Sequence, residues 1–145
     1  MKNAEVMEQL IKKEVIILGI ANLSEFCGYI AENMTPGWSA VGGQTRSAYE
    51  TGPPPDFKVL IMAMPCSGPS SGSAVGVSAG FAPLSLGTET RGSLVYPASK
   101  AGLYAMRPAH GSVSAKGVFR ISRSFDVIGL MARTPSDVNL LAESI

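Results

Sequence analysis

Apolar residues along this chain change their rhythm several times. In "NAEVMEQLIKK", Val6, Leu10 and Ile11 recur at helical spacing, Asn3 stands where a cap belongs, and Lys12 and Lys13 fall in the last turn. The spacing predicts an amphipathic helix. "VIIL", residues 15–18, then runs apolar without interruption up to Gly19, which predicts a short buried strand. A helix leading into a continuous apolar run suggests an α/β construction with a covered sheet.

From residue 33 to 65 the pattern dissolves. "PGWSAVGGQT" and "TGPPPD" are dense in turn formers, and Pro53-Pro54-Pro55 excludes a helix. The run "FKVLIMAMP" inside this stretch reads as one buried strand with an abrupt start. Order returns with "SSGSAVGVSAGFAPLSLGTETRGS": a glycine loop, a small-residue helix to about Ala79, a strand near Leu84 to Leu86, and a tight glycine turn. "TPSDVNLLAESI" predicts a closing helix, with Thr134 as cap, Pro135 at its first position and Asp137 three residues after the cap. No segment repeats, and 145 residues suit one domain.

Composition narrows the function classes. The chain is 46% hydrophobic and only 16% charged, with a net charge of +1. It has no basic run, so a nucleic-acid partner is not expected. Two cysteines, Cys27 and Cys66, and one histidine, His110, fit neither a disulfide framework nor a metal spacing. The N-terminus lacks a secretory core, and the apolar runs are too short to span a bilayer. The expectation is a cytoplasmic chain with no membrane partner, no metal and no cofactor.

Two segments carry candidate chemistry. "CSGPSSGSAV", residues 66–75, has the small residues and hydroxyls of a loop that brings backbone amides to a ligand. "TETRGS", residues 88–93, is a tight turn whose successive amides could converge beside Ser93. Taken alone, this pattern leaves a reactive-serine site and plain turns open. A phosphate cradle is the poorest fit, since no Lys-Ser/Thr pair follows the glycines.

Longer stretches decide between these readings. "ILGIANLSEF", "GWSAVGGQTRSAY", "GPSSGSAVGVSAGFAPLSLGTETRGSLVYPAS" and "DVIGLMARTPSDVNLL" together resemble the amidase signature family of amide hydrolases, with a flavour similar to fungal members. They keep that family's order over nearly the whole chain, excepting about Thr51 to Ser67. The resemblance implies an incomplete amidase signature fold: a partial mixed β-sheet core flanked by helices. Residues 1–145 would form one partial domain, with a divergent loop at 51–67 and the family's remaining N- and C-terminal parts absent. It also implies a carbon–nitrogen hydrolase using a Ser–Ser–Lys triad. Ser93 matches the nucleophile, and the amides of Thr90, Arg91, Gly92 and Ser93 match the oxyanion turn.

The departures from that pattern matter as much. The middle, relaying serine of the family falls on Pro69 here. A Gly68–Pro69 bond leaves a cis geometry accessible at low cost, but proline supplies no hydroxyl to relay a proton. Ser70 is the nearest substitute, one position along. The family's base lysine lies on a strand upstream of the first helix, a position this chain does not reach. Arg91 places a large cation inside the oxyanion turn, where a small or acidic residue is usual, and Ile20 stands where lysine is common. The expected consequence is a weak or inactive enzyme. The alternative is a non-catalytic remnant, a pseudoenzyme that binds a small amide or acyl ligand or a partner chain.

Other residues receive structural readings. His110 is expected in a surface turn, Trp38 in packing, Gln44 bonded to its own loop, and Cys66 as an incidental thiol. A partial sheet should also leave open edges, through which the chain would self-associate.

Overall fold

The computed structural model describes residues 2–29, 32, 34–51 and 66–145. The elements run α1 (Glu5–Lys12), a tight turn at Glu25–Gly28, the two-residue strands β1 (Trp38–Ser39) and β2 (Gly43–Gln44), α2 (Ser71–Ser78) and β3 (Leu84–Glu89). They continue with α3 (Val95–Lys100), β4 (Tyr104–Met106), β5 (Val127–Ala132) and α4 (Pro135–Ala142).

β5 organises the domain. Its sequence, VIGLMA, is apolar throughout, and all six residues are buried. A strand flanked by two others and covered on both faces needs such a run. It lies between β3 and β4, antiparallel to each, with Leu84 opposite Ala132 and Glu89 opposite Val127. The side chains of β5 divide by alternation. Leu130 and Ala132 pack with Leu10 of α1 and with Val138 and Leu141 of α4. Met131 faces the other way, onto Ala74 of α2 and Leu94, Ala98 and Ala101 around α3. The result is a helix–sheet–helix layering. The α/β class expected from the sequence holds, and every described strand pair is antiparallel.

α1 and α4 start as their sequences suggest, with one difference in capping. Thr134 Oγ1 accepts a hydrogen bond from the Asp137 amide at 3.1 Å, as expected. At α1 the capping position is Ala4, without a side-chain cap, and Asn3 Nδ2 instead donates to Glu8 Oε1 at 2.6 Å. Val6 and Leu10 are buried, whereas Ile11 is exposed.

Two expectations fail. Residues 15–18 form no strand: Ile16 is 81% exposed and Leu18 69% exposed, in an irregular segment. An apolar run becomes a strand only where an edge is available to pair with it, and the three-stranded sheet does not reach this one. Trp38 is also exposed rather than packed. The predicted strand "FKVLIMAMP" at 57–65 lies outside the described residues, as does most of the divergent loop at 51–67. Among the described residues no helix is long and apolar enough to cross a membrane.

Candidate functional site

A cavity of about 470 Å³ opens where the turn after β3 meets the loop before α2. Thr90, Arg91, Gly92 and Ser93 form one wall, and Pro69, Tyr96 and Cys27 another. A second hollow of about 320 Å³ shares Pro69, Tyr96 and Cys27 and extends toward Ser24 and Ser67. The fold therefore brings the two sequence segments with candidate chemistry together at one place.

The position of Ser93 follows from packing beneath it. Gly87 of β3 and Gly129 of β5 face each other across the ladder. A Cβ on Gly129 would overlap Leu94 Cδ2, and one on Gly87 would lie 2.7 Å from Leu94 Cδ1. The glycine pair leaves a hollow in the sheet, and the fully buried Leu94 side chain occupies it. Burying one leucine stabilises by about 2–3 kcal/mol, so the residue after Ser93 is a firm anchor.

Two carboxylates hold the ends of the turn. Glu89 is buried; its Oε2 accepts from the amides of Leu94 and Val95, both at 2.9 Å, while Oε1 lies 3.2 Å from Arg107 Nε. Asp126 accepts from Thr90 Oγ1 at 2.5 Å and from the amides of Ile121 and Ser122 at 2.6 and 2.9 Å. Burial alone would raise the Asp126 pKa. The bonds from Thr90, Ser122 and Ile121, with the nearby Arg120 charge, outweigh it and hold the carboxyl below its usual value.

Between these fixed ends the turn is chemically open. The amides of Arg91, Gly92 and Ser93 donate to no backbone carbonyl among the described residues. Gly92 has φ +74°, a conformation that costs a glycine little. The Ser93 hydroxyl makes no hydrogen bond to any described residue, while its carbonyl accepts from the Ser70 amide at 3.0 Å.

The loop opposite is anchored. Ser24 Oγ donates to the Gly68 carbonyl at 3.1 Å and accepts from the Gly37 amide at 2.6 Å, and the Ser24 amide donates to the Pro69 carbonyl at 3.0 Å. Pro69 lines both hollows, and the Gly68–Pro69 bond is trans, as is every described peptide bond. Ser70 is buried; its hydroxyl donates to the Thr88 carbonyl at 3.2 Å and accepts from the Thr88 amide at 3.3 Å. It is engaged with β3 and makes no bond to the Ser93 hydroxyl. Ser71 Oγ is fully buried with no partner among the described residues.

Asn22 ties this side together. Its side chain donates to the Gly37 and Gly43 carbonyls at 3.2 and 3.0 Å and to Thr45 Oγ1 at 2.9 Å, and accepts from Ser39 Oγ at 2.6 Å. Its carbonyl accepts from the Gly72 amide at 3.1 Å. A Cβ on Gly72 would overlap that carbonyl oxygen, so only glycine permits this approach.

The other residues singled out in the sequence have structural surroundings. His110 is exposed, its ring 2.9 Å from the Arg123 carbonyl. Gln44 bonds its own loop, through Nε2 to the Pro36 and Thr45 carbonyls at 2.9 and 3.0 Å. Cys66 is buried and donates to the Thr45 carbonyl at 3.0 Å; burial, with the Glu50 charge, pushes its thiol up. Cys27 is raised likewise, by burial and then by the Asp126 charge. Sequence reading missed Cys27, Tyr29 and Tyr96 as walls of the cavity and Glu89 as the brace of the turn. Glu89 sits inside the motif already singled out, so a charged residue amid glycines was the available signal.

Comparison with known proteins gives the family and the fold. A family profile described as Amidase matches residues 1–145. The chain is 38% identical over 144 residues to a probable amidase of Arabidopsis thaliana, covering 99% of this chain and 26% of that protein. It is 37% identical over 142 residues to a glutamyl-tRNA(Gln) amidotransferase subunit of Staphylococcus aureus, covering 97% and 26%. Among solved structures, the native peptide amidase of Stenotrophomonas maltophilia superimposes with a TM-score of 0.85 at 37% identity, over 99% of this chain and 27% of that one. The chain thus spans about a quarter of the length of these relatives. With a match running from its first residue to its last, this chain belongs to the amidase family.

Proposed function

We propose that the Ser93 cavity binds small amide or acyl compounds, with Ser93 in the place of a carbon–nitrogen hydrolase's nucleophile, and that the 145-residue chain alone turns them over weakly or not at all. The observation that carries this reading is the contrast at Ser93. Its hydroxyl stands at a cavity beside uncommitted amides, yet touches no base among the described residues. The relatives named amidase and peptide amidase support the amide class of ligand.

The chemistry explains both halves of the proposal. In amide cleavage by a serine, Oγ bonds to the carbonyl carbon while a base removes its proton. The carbonyl oxygen takes the negative charge, which donors such as the Arg91 to Ser93 amides are suited to receive. The proton then passes to the nitrogen, the amine departs, and water releases the acyl group. The first step needs a base and a relay. Pro69 carries no hydroxyl, Ser70 is engaged with Thr88, and Lys100, the lysine in contact with a wall of the cavity, lies 5.6 Å from the centre of the Tyr96 ring. An unassisted serine hydroxyl is a poor nucleophile near neutral pH.

A second reading is favoured by a separate feature, the exposed apolar segment at Ile16 and Leu18. That surface suits a non-catalytic chain that pairs with another polypeptide. A fluorophosphonate probe separates the readings. Labelling of Ser93 above the background of a Ser93→Ala protein supports a retained nucleophile. No labelling, together with measurable amide binding, leaves the binding remnant. Steady turnover of a simple amide that depends on Ser93 would overturn the proposal of a weak or inactive chain.

A further inference from the structure

We propose that Arg91 is a specificity residue that selects ligands carrying a carboxylate, so that the preferred occupants of the Ser93 cavity are short amides with a free acid group. This rests on the reading that the cavity takes amide or acyl compounds.

Four observations converge on it. First, Arg91 is the one charged side chain on the cavity wall among the described residues. Second, it is exposed, and its guanidinium forms no hydrogen bond or ion pair with any described residue. Third, the two acidic groups flanking the turn are engaged elsewhere. Glu89 faces Arg107 and two amides, and Asp126 is held by Thr90, by two amides and by the Arg120 charge. Neither closes onto Arg91. Fourth, Lys100 stands against the ring of Tyr96, adding a second cation near the same wall.

The uncompensated charge in the cavity is therefore positive, and it lies on the turn that presents Ser93. A guanidinium offers paired N–H donors whose geometry matches the two oxygens of a carboxylate. Ser93 is two residues further along the same turn. A ligand whose carbonyl approaches Ser93 would therefore bring a nearby acid group within the sweep of Arg91. A neutral ligand gains nothing from it and must share the cavity with a solvated cation.

The test compares two ligands of nearly equal shape, glutaric acid monoamide, which carries a carboxylate, and neutral glutaramide. Binding to the purified chain is followed by NMR titration, a readout independent of turnover. The monoamide is expected to bind about tenfold more tightly at low salt, as for a paired charge-assisted contact. The gap should close in Arg91→Gln, persist in part in Arg91→Lys, and shrink as added salt shortens the screening length. Equal binding of the two ligands by the unaltered protein, or a gap that survives Arg91→Gln, overturns the assignment. Two outcomes distinguish this from failure of the function itself. Equal binding that still shifts the amide signals of Gly92 and Ser93 defeats only the role of Arg91. Absence of binding by either ligand defeats the amide-cavity reading and the Arg91 assignment with it.

Discussion

In the loop around Pro69 the Gly68 and Pro69 carbonyls and the Ser70 amide and hydroxyl are committed to other parts of the chain, whereas along the turn from Arg91 to Ser93 the amides and the serine hydroxyl are not. Ser24 bolts the Gly68 and Pro69 carbonyls, Ser70 grips Thr88, and Asn22 gathers Gly37, Gly43, Thr45, Ser39 and Gly72. The turn is restrained differently. It is held beyond its ends by Glu89 and Leu94 on one side and Asp126 on the other, and within it through the Ser93 carbonyl rather than through its amides or the serine hydroxyl. Anchoring from outside leaves its own groups available, which a turn that meets a ligand requires. A loop whose polar atoms are occupied can shape a site but has little left to contribute chemically.

Substitutions can break that contrast, and the largest effect should come from the anchored side. Gly72→Ala places a methyl carbon inside contact distance of the Asn22 carbonyl, which cannot withdraw without giving up its bond. The expected loss is about 4 kcal/mol or more, read from thermal or urea unfolding, a magnitude reserved for clashes with buried backbone. Unfolding close to that of the unaltered protein would show that the approach is not tight.

Glu89→Ala attacks the other region from its end. It strips two amides of their acceptor and leaves Arg107 without its carboxylate, at an expected cost of about 3 kcal/mol. Glu89→Gln keeps an acceptor for the amides and should lose less. Equal losses in the two variants would mean that the negative charge, rather than the bonds to Leu94 and Val95, carries the effect.

Ser71→Ala sharpens the comparison through its exception. Ser71 Oγ is a fully buried hydroxyl on the anchored side with no partner among the described residues, so its removal should leave stability unchanged or raise it by up to about 1 kcal/mol. A clear destabilisation would reveal a partner for it.

The smallest effect is a matter of pH. The Asp126 pKa is lower in the folded chain than its ordinary value of about 3.9, so its contribution is fully present above that value. It is lost as the pH falls through the lowered folded value. The expected outcome is a steeper loss of melting temperature below about pH 4 in the unaltered protein than in Asp126→Asn. Parallel acid limbs would place the restraint of Thr90 elsewhere.

Much of this molecule was legible in its sequence, and the reason is local. The C-terminal helix announces itself because Thr134, Pro135 and Asp137 act within one turn of each other, and the geometry at Thr134 is as expected. The helix of small residues at Ser71–Ser78 and the strand after it fall within a few residues of their expected places, because glycine and hydroxyl punctuation marks their ends. The resemblance to amide hydrolases, carried by long motifs in order, pointed to the family that the comparisons show. Where the sequence misled, the missing information was a neighbour. "VIIL" has the composition of a strand and pairs with no described strand, and Trp38 has the size of a core residue and stays at the surface.

Sequence alone determined the family, the lack of any hydroxyl at Pro69 and the presence of a cation, Arg91, between Thr90 and Gly92. Only the tertiary structure decided that Ser70 turns to Thr88, that Glu89 braces the turn, and that Arg91 meets no acid among the described residues. Those outcomes depend on which distant atoms arrive within about 3 Å of one another, and no spacing along a chain encodes that distance by itself.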